Sequence, residues 1–510
     1  MIYQRFLDDD LERIQNELFL LRQISNDTSA LPERITAEVL DGLSAYCERE
    51  DCASEYVIEA KNQCIRALAR ALIQYSYDIV DSKNRTSIAN DRMLMNLTQL
   101  TNTLNKMIGT YCLNGAANSV IPSWVPLAVY AAACVCCNYR PMTKIDTCIS
   151  KALVVSGEGI LKSCQQLSSC ENQNEVFSTF LTQLLSLASQ YTSKDDWIAP
   201  QSLPKFVLRW IILKISFPSL GGDGLGHILA LVFPLVDSCQ QTTQLVGIEV
   251  LYHVIKNVTA TELRWYSEVL LEVLGRAVTT RTSVVLDLAL ASLVSALEML
   301  QIPSQSFDLY DQFFLRLIND TCTAIEHNIR LLLLRSLRQM VKAMSVPQSI
   351  HLVSYLQPLL EVALRTFDST NTPLVSEALL LLQDVITSAW PRITHHTEDI
   401  FVGVLRSVAY CATLSTGPTG KKHLDGGRTS TLLSLGNRVL QLLHALEQNV
   451  EVGGQRSTKI LDLLRKTQKE IRNNTLLHLF CSDALESLQA GNPQIVPSPR
   501  TKLFNEERIR

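Results

Sequence analysis

The densest set of potential metal ligands in the chain is a run of thiols, Cys134, Cys136 and Cys137, with Cys148 eleven residues further on. Thiolate-bound zinc is the chemistry such a set would support, but a structural zinc site takes pairs spaced by two to four residues that converge from loops. These cysteines instead end the most apolar stretch of the sequence, Val125 to Cys137 (VPLAVYAAACVCC), where a thiolate would be a desolvated charge. They are expected to be buried structural cysteines, and no metal site is expected. The Gly-rich segment Gly221-Gly-Asp-Gly-Leu-Gly226 has the look of a phosphate cradle, yet it lacks the preceding strand and the ribose-binding acid of a βαβ unit. It reads as a turn before a helix beginning near Leu225. Gly417-Pro-Thr-Gly-Lys421-Lys422 misses the P-loop spacing, with His423 where Ser or Thr should stand.

His395-His396 is the only adjacent histidine pair, and neighbouring side chains on a helix diverge, so a surface turn after Trp390-Pro391 accounts for it. No G-x-S-x-G elbow occurs, and the acidic clusters Asp8-Asp9-Asp10 and Glu48-x-Glu50-Asp51 flank helices as solvated charge. The sequence therefore proposes no catalytic, cofactor-binding or metal-binding residue, and a non-enzymatic protein is expected. A helical enzyme whose acid or base converges only in three dimensions is the contrary reading.

The elements that would position any such group are helices. Across 510 residues, 47% are apolar and 19% charged, which excludes a disordered or low-complexity chain. Lys plus Arg total 46 against 50 Asp plus Glu, a net charge of −4, so no general excess of positive charge is available to follow a phosphate backbone. The opening residues, MIYQRFLDDDLERIQNELFLLRQ, are charged throughout and unlike a signal peptide. A cytoplasmic and nuclear location is expected, with the 14 cysteines as thiols in a reducing compartment. No Asp, Glu, Lys or Arg lies between Lys106 and Arg140, but the apolar run is shorter than the roughly 20 residues a membrane span needs. A buried core helix is expected there, and no membrane or nucleic-acid partner.

Apolar residues recur at three- and four-residue spacing almost everywhere, giving an all-α class. From about Pro200 the helices come in pairs. Second helices are read at Leu245 to Asn257, Val284 to Leu300, Ile329 to Met344 and Leu374 to Trp390, their starts 39, 45 and 45 residues apart. That period is close to the 40 to 47 residues of HEAT and armadillo units. First helices fit between them at Leu225 to Ser238, Glu262 to Val278, Leu309 to Ala324, Ile350 to Phe367 and Glu398 to Thr413. A last helix, Thr431 to Glu447, follows a flexible insertion at 415–428. Such pairs bury their apolar sides only by stacking, so the expected architecture is an α-solenoid of HEAT/armadillo-like helix pairs. Residues 1–195 form a further helical region, with Glu55 to Ile79 and Ile88 to Met107 as helices and possible degenerate repeats. Residues 196–490 form the repeat solenoid, and 491–510 a disordered tail.

A solenoid offers surface rather than a pocket. The polar stripes of the second helices alternate in sign: Glu249, His253 and Lys256; then Asp287 and Glu298; then Arg335, Arg338 and Lys342; then Glu377 and Asp384. With equivalent helices side by side, a basic ridge lies between acidic ones. Ion pairing between repeats is the favoured reading of Arg335, Arg338 and Lys342, and docking of an acidic partner helix the functional one. The three are expected on one exposed stripe. A second basic set, Arg456, Lys459, Arg465, Lys466, Lys469 and Arg472, lies opposite the stripe Ile460, Leu464 and Ile471 and reads as a solvated face. Trp265 and Tyr266 are expected in the core, with interface anchoring as the functional alternative.

The segment Trp197 to Leu271 carries a specific order of motifs. It runs Trp197-Ile-x-Pro200, Leu203-Pro204, Leu208-Arg209-Trp210, Phe217-Pro218-Ser-Leu220, Leu225-Gly226 and Leu235-Val-Asp237. It then passes through Val246-Gly-Ile-Glu-Val-Leu251-Tyr-His253-Val-Ile255-x-Asn257-Val258 to Glu262-Leu263 and Tyr266. This order resembles the TELO-two-interacting protein two (Tti-two) family, and Trp390-Pro391-Arg392 is similar too. The paired acids that family often shows near Asp237 are represented by Asp237 alone, followed by Ser238. The resemblance implies a non-enzymatic α-solenoid subunit of the Triple T (TTT) complex, bound to the Tel-two and Tti-one proteins. It further implies an adaptor role with the ninety-kilodalton heat-shock chaperone and an AAA+ ATPase cochaperone assembly. The clients would be phosphatidylinositol-3-kinase-related kinases of genome-damage and growth signalling. Pro218, Gly247 and Asn257 correspond to fold positions. Another HEAT-type adaptor, in nuclear transport or on microtubules, is the alternative.

Overall fold

The computed structural model describes residues 55–81, 87–113, 121–137, 147–190, 194–200, 202–301, 308–344, 350–369, 371–415, 426–449, 451–452, 455–456, 459–471 and 475–489. The described residues are all-α and built of HEAT-like helix pairs, apart from one hairpin of two-residue strands. It divides into two compact units, Met1–Val273 and Leu274–Arg510. The expected tail at 491–510, most of the insertion at 415–428 and the first 54 residues lie outside the described residues.

In the first unit the helices are α1 (Glu55–Asp81), α2 (Ser87–Leu113), α3 (Val125–Cys136), α4 (Thr147–Leu167), α5 (Gln173–Thr179), α6 (Leu181–Gln190) and α7 (Lys194–Ile198). They are followed by α8 (Leu203–Ile212), α9 (Asp223–Val236), α10 (Gln241–Asn257) and α11 (Ala260–Arg264), and α12 (Ser267–Ala277) carries the division. The apolar run of the sequence is α3, a 12-residue helix buried at every position but Pro126. It can be apolar all round because α1, α4, α6 and α8 all pack on it. Its polar groups find partners: the Trp124 indole donates to Asn62 Oδ1 at 2.8 Å, and the Tyr130 and Tyr77 hydroxyls meet at 2.8 Å. Burial pushes the Cys134 thiol well above its ordinary range and the Cys136 thiol up to about 12, so both stay protonated and inert.

The Gly-rich segment is a turn. Gly222, at φ +63°, is the N-cap of α9 and donates its N–H to Glu262 Oε1 at 3.0 Å. Glu262 is also the third residue of α11, whose N-cap Thr259 donates to its other carboxylate oxygen at 2.9 Å and accepts from its backbone N–H. This is a capping box that also ties two turns together. The hydrogen bonds from Thr259 and Gly222 hold the Glu262 carboxyl below its ordinary value.

In the second unit the order is α13 (Ser283–Leu300), α14 (Asp308–Thr323), α15 (His327–Met344), α16 (Ile350–Val353), α17 (Leu356–Thr366), α18 (Thr372–Ser388), α19 (Trp390–Ile393), α20 (Thr397–Ser415) and α21 (Gly426–Asn449). A hairpin pairs Glu451 with Arg456 and Val452 with Gln455, and α22 (Lys459–Glu470) and α23 (Thr475–Gln489) close the unit. Second helices stack on second helices, α13 on α15, α15 on α18 and α18 on α21, while α14, α17 and α20 form the other layer. The helix α13 is long and apolar enough to cross a membrane. Here Leu286, Ala289, Leu290, Leu293 and Leu297 are core, and the helix packs on α15.

Candidate protein-binding surface

The side-by-side second helices of the second unit present their polar stripes together. On α15, Arg335, Arg338 and Lys342 are spaced by three and four residues and so share one face. Glu377 and Asp384 on α18, two turns apart, face them. Arg338 bridges both acids: its Nη1 donates to Glu377 Oε1 at 2.6 Å and its Nε lies 3.4 Å from Asp384 Oδ2. Arg335 Nε is 3.6 Å from Glu377 Oε2, and Lys342 Nζ 3.5 Å from Asp384 Oδ2. Burial pushes the Asp384 carboxyl up, and the Lys342 and Arg338 charges pull the other way.

Two carboxylates thus meet three cations along the seam between repeats. The buried member is Glu377, 8% exposed, whereas the side chains of Arg335 and Lys342 are 54% and 55% exposed. The stripe is both a pairing between repeats and an outward-facing ridge with one positive charge in excess. On the neighbouring α13, Asp287 and Glu298 are exposed. In the first unit, Glu249 instead pairs with Arg209 of α8, and His253 Nε2 lies 2.7 Å from the Ile215 carbonyl oxygen.

The second basic set is spread along α22, where Ile460 and Leu464 are buried and Arg465, Lys466 and Lys469 are exposed. Lys459 pairs with Glu398 at 2.9 Å and Arg465 with Asp462 at 3.5 Å. Arg472 lies outside the described residues, and Arg456 belongs to the short hairpin. The helix that carries most of this set packs on α21 and α23.

One expectation is corrected. Trp265 is not core: it is 86% exposed, because residues 265 and 266 are a turn that breaks the expected helix Glu262 to Val278 into α11 and α12. The turn aims the indole outward and lays Tyr266 over Gly226, where an added Cβ would meet the tyrosine oxygen at 2.7 Å. Trp265→Ser is accordingly expected to change stability by no more than about 0.5 kcal/mol, the range for an exposed position, as read from the urea midpoint.

Lys205 on α8 was not legible as a special residue, since a lysine in a helix reads as surface. It is fully buried. Its ammonium donates to the Ala199 carbonyl just past α7 and to Thr243 Oγ1 of α10 at 2.8 Å, and Thr243 donates on to the Ile198 carbonyl at 3.1 Å. Burial lowers its pKa from 10.5 to about 8. Between those values the unfolded chain holds the extra proton, so this group makes stability rise with pH across pH 8 to 10.5. Urea titrations over that range should show wild type gaining on Lys205→Met. Parallel curves for the two would remove the buried ammonium from the account.

Among the described residues, no three His, Cys, Asp or Glu side chains are grouped to hold a metal ion. His395 and His396 fall in a one-turn 3-10 helix after α19, with His396 Nδ1 3.9 Å from Asp399 on the same surface segment.

No family model and no curated protein matches the chain. Solved structures of the karyopherin Kap121p are similar at the level of helical repeats. The complex with the SUMO protease Ulp1p aligns over 89% of this chain and 46% of that one at 12% identity, with a TM-score of 0.43. The complex with Nup53p aligns over 92% and 53% at 12% identity and a TM-score of 0.43. The RanGTP complex gives 90% and 53%, 12% and 0.42. This chain spans about half the length of those proteins.

Proposed function

We propose that this chain is a non-catalytic adaptor that binds protein partners along the second-helix ridge of its C-terminal unit. The observation that supports this is the excess of cations on α15, held in register by two acids of α18 with Arg335 and Lys342 left half in solvent. A ridge of that kind suits an acidic helix laid across it, in an interface where many side chains contribute.

The partner set we propose rests on the resemblance of Trp197 to Leu271 to the Tti-two family. It comprises the Tel-two and Tti-one proteins and, through them, the ninety-kilodalton chaperone, an AAA+ ATPase assembly and phosphatidylinositol-3-kinase-related kinases, in the cytoplasm and nucleus. The alternative is a nuclear-transport adaptor, the class of the karyopherin whose solved structures are similar in construction. One experiment separates them: a tagged chain expressed at native level in cells of its source, with co-purifying proteins identified by mass spectrometry. Stoichiometric Tel-two and Tti-one homologues are expected. Their absence, with transport factors recovered instead, would leave the helical-repeat adaptor standing and replace the partner set.

A further inference from the structure

A cavity of about 130 Å³ lies in the second unit, where the 278–282 loop before α13 meets α14 and α15. It is lined by the aliphatic Val278, Leu286, Ile329 and Leu333, by Thr279 and Thr280 of the loop, and by the charged Arg281, Arg316 and Asp320. Arg316 Nε and Asp320 Oδ2 are 3.8 Å apart, a loose pair with both side chains about 40% exposed, and Arg281 is exposed. Two guanidinium groups against one carboxylate leave one positive charge in excess among the lining residues, beside four aliphatic side chains. A cavity of roughly 150 Å³ admits a benzene-sized group, so there is room here for one aliphatic side chain.

We infer that this cavity receives the C-terminal residue of a partner protein, an aliphatic residue with its free α-carboxylate held by Arg281 and Arg316. Along an extended peptide successive side chains point to opposite faces, so an internal acidic residue and its aliphatic neighbour cannot both enter one small pocket. A terminal residue presents carboxylate and aliphatic side chain from the same Cα. Guanidinium groups are the donors best shaped for a carboxylate, and capture of a chain terminus by a small preformed site is a recurrent mode of peptide recognition. The segment joining α14 to α15, the two helices that line the cavity, carries the exposed apolar side chain of Ile325, 93% exposed. This assignment does not depend on which partner set the chain serves.

The test uses the full chain and a fluorescein-labelled Gly-Ser decapeptide ending in Val-Leu, compared with the same peptide as its C-terminal amide. Anisotropy titration to about 1 mM should show saturable binding of the acid and at least tenfold weaker binding of the amide. Arg281→Gln and Arg316→Gln should each weaken the acid form about five- to twentyfold. Arg365→Gln, at an exposed arginine that pairs with Glu361 on its own helix and does not line the cavity, should leave it unchanged. Equal binding of acid and amide, no binding at about 1 mM, or indifference to both arginine variants would overturn the assignment. So would displacement by free leucine at equal concentration, since that would make the cavity a site for a small amino acid. Far-UV circular dichroism on each variant keeps the comparison to folded protein.

Discussion

Replacing Gly247 with valine is expected to cost the N-terminal unit about 3 kcal/mol or more, and replacing it with alanine about 2 kcal/mol. A Cβ at this position in α10 would sit 2.7 Å from the Val236 backbone nitrogen, 2.8 Å from Leu235 Cβ and 2.9 Å from the Leu235 carbonyl carbon. None of these is the tip of a flexible side chain, so the strain is relieved only by moving α9 and α10 apart. That separation would open the core around Val232, Leu235, Val250 and Leu251, all buried. The helical gain from losing a glycine, about 1 kcal/mol at most, is smaller than this. Gly109 in α2 supplies the control, because nothing lies within 4 Å of a Cβ built there. Gly109→Ala is expected to stabilise by about 0.5–1 kcal/mol. Urea denaturation of the two alanine variants should therefore give shifts of opposite sign. A neutral Gly247→Ala would mean that α9 and α10 are not in backbone contact.

Arg338→Ala is expected to destabilise the C-terminal unit by about 2–3 kcal/mol, close to the lower end of what breaking a buried ion pair costs because the guanidinium is itself 25% exposed. The damage lies in what remains. Glu377 would stay buried with only the 3.6 Å contact to Arg335, and Asp384 would keep only Lys342. Removing the charge on both sides should recover most of the loss. In Arg338→Met with Glu377→Leu the long apolar side chains fill the seam, the buried carboxylate is gone, and Asp384, less buried, keeps Lys342. Arg335→Ala, at a half-exposed position, should cost no more than about 1 kcal/mol. Thermal melts of the four proteins read the difference. A double variant as unstable as Arg338→Ala alone would show that the seam depends on the charges themselves rather than on avoiding an unpaired one.

The repeat period was legible because the second helices are inner helices with regular apolar spacing. Their starts at 241, 283, 327 and 372 lie within four residues of the readings at Leu245, Val284, Ile329 and Leu374. The fourth ends at Ser388 rather than Trp390, because Trp390 and Pro391 open a separate short helix. First helices were harder to delimit. Glu262 to Val278 breaks at Trp265-Tyr266 and Ile350 to Phe367 at Ser354-Tyr355, since apolar spacing alone does not mark a turn that keeps the helical rhythm on both sides.

The candidate surface was partly legible for the same reason. Residues 335, 338 and 342 share a face by spacing alone, and once equivalent helices are adjacent their acids at 377 and 384 must meet them. The burial of Lys205 depends on how α8 packs against Ala199 and Thr243, and the cavity beside Arg281 and Arg316 on how the 278–282 loop meets α14 and α15, neither of which apolar spacing reports. Trp265 was misplaced because its apolar bulk reads as core, and only the turn geometry turns it outward.

Whether partners sit on the α15 ridge is read by zero-length carbodiimide cross-linking of the co-purified assembly. The reagent joins lysines to carboxylates in contact, and Lys342 is the half-exposed lysine of the ridge. Mass spectrometry should find Lys342 joined to an Asp or Glu of the partner, with its link to Asp384 within this chain reduced from the level seen for the chain alone. An unchanged Lys342–Asp384 link, with partner links confined to lysines such as Lys151, Lys466 or Lys469, would contradict the claim and move the binding face elsewhere.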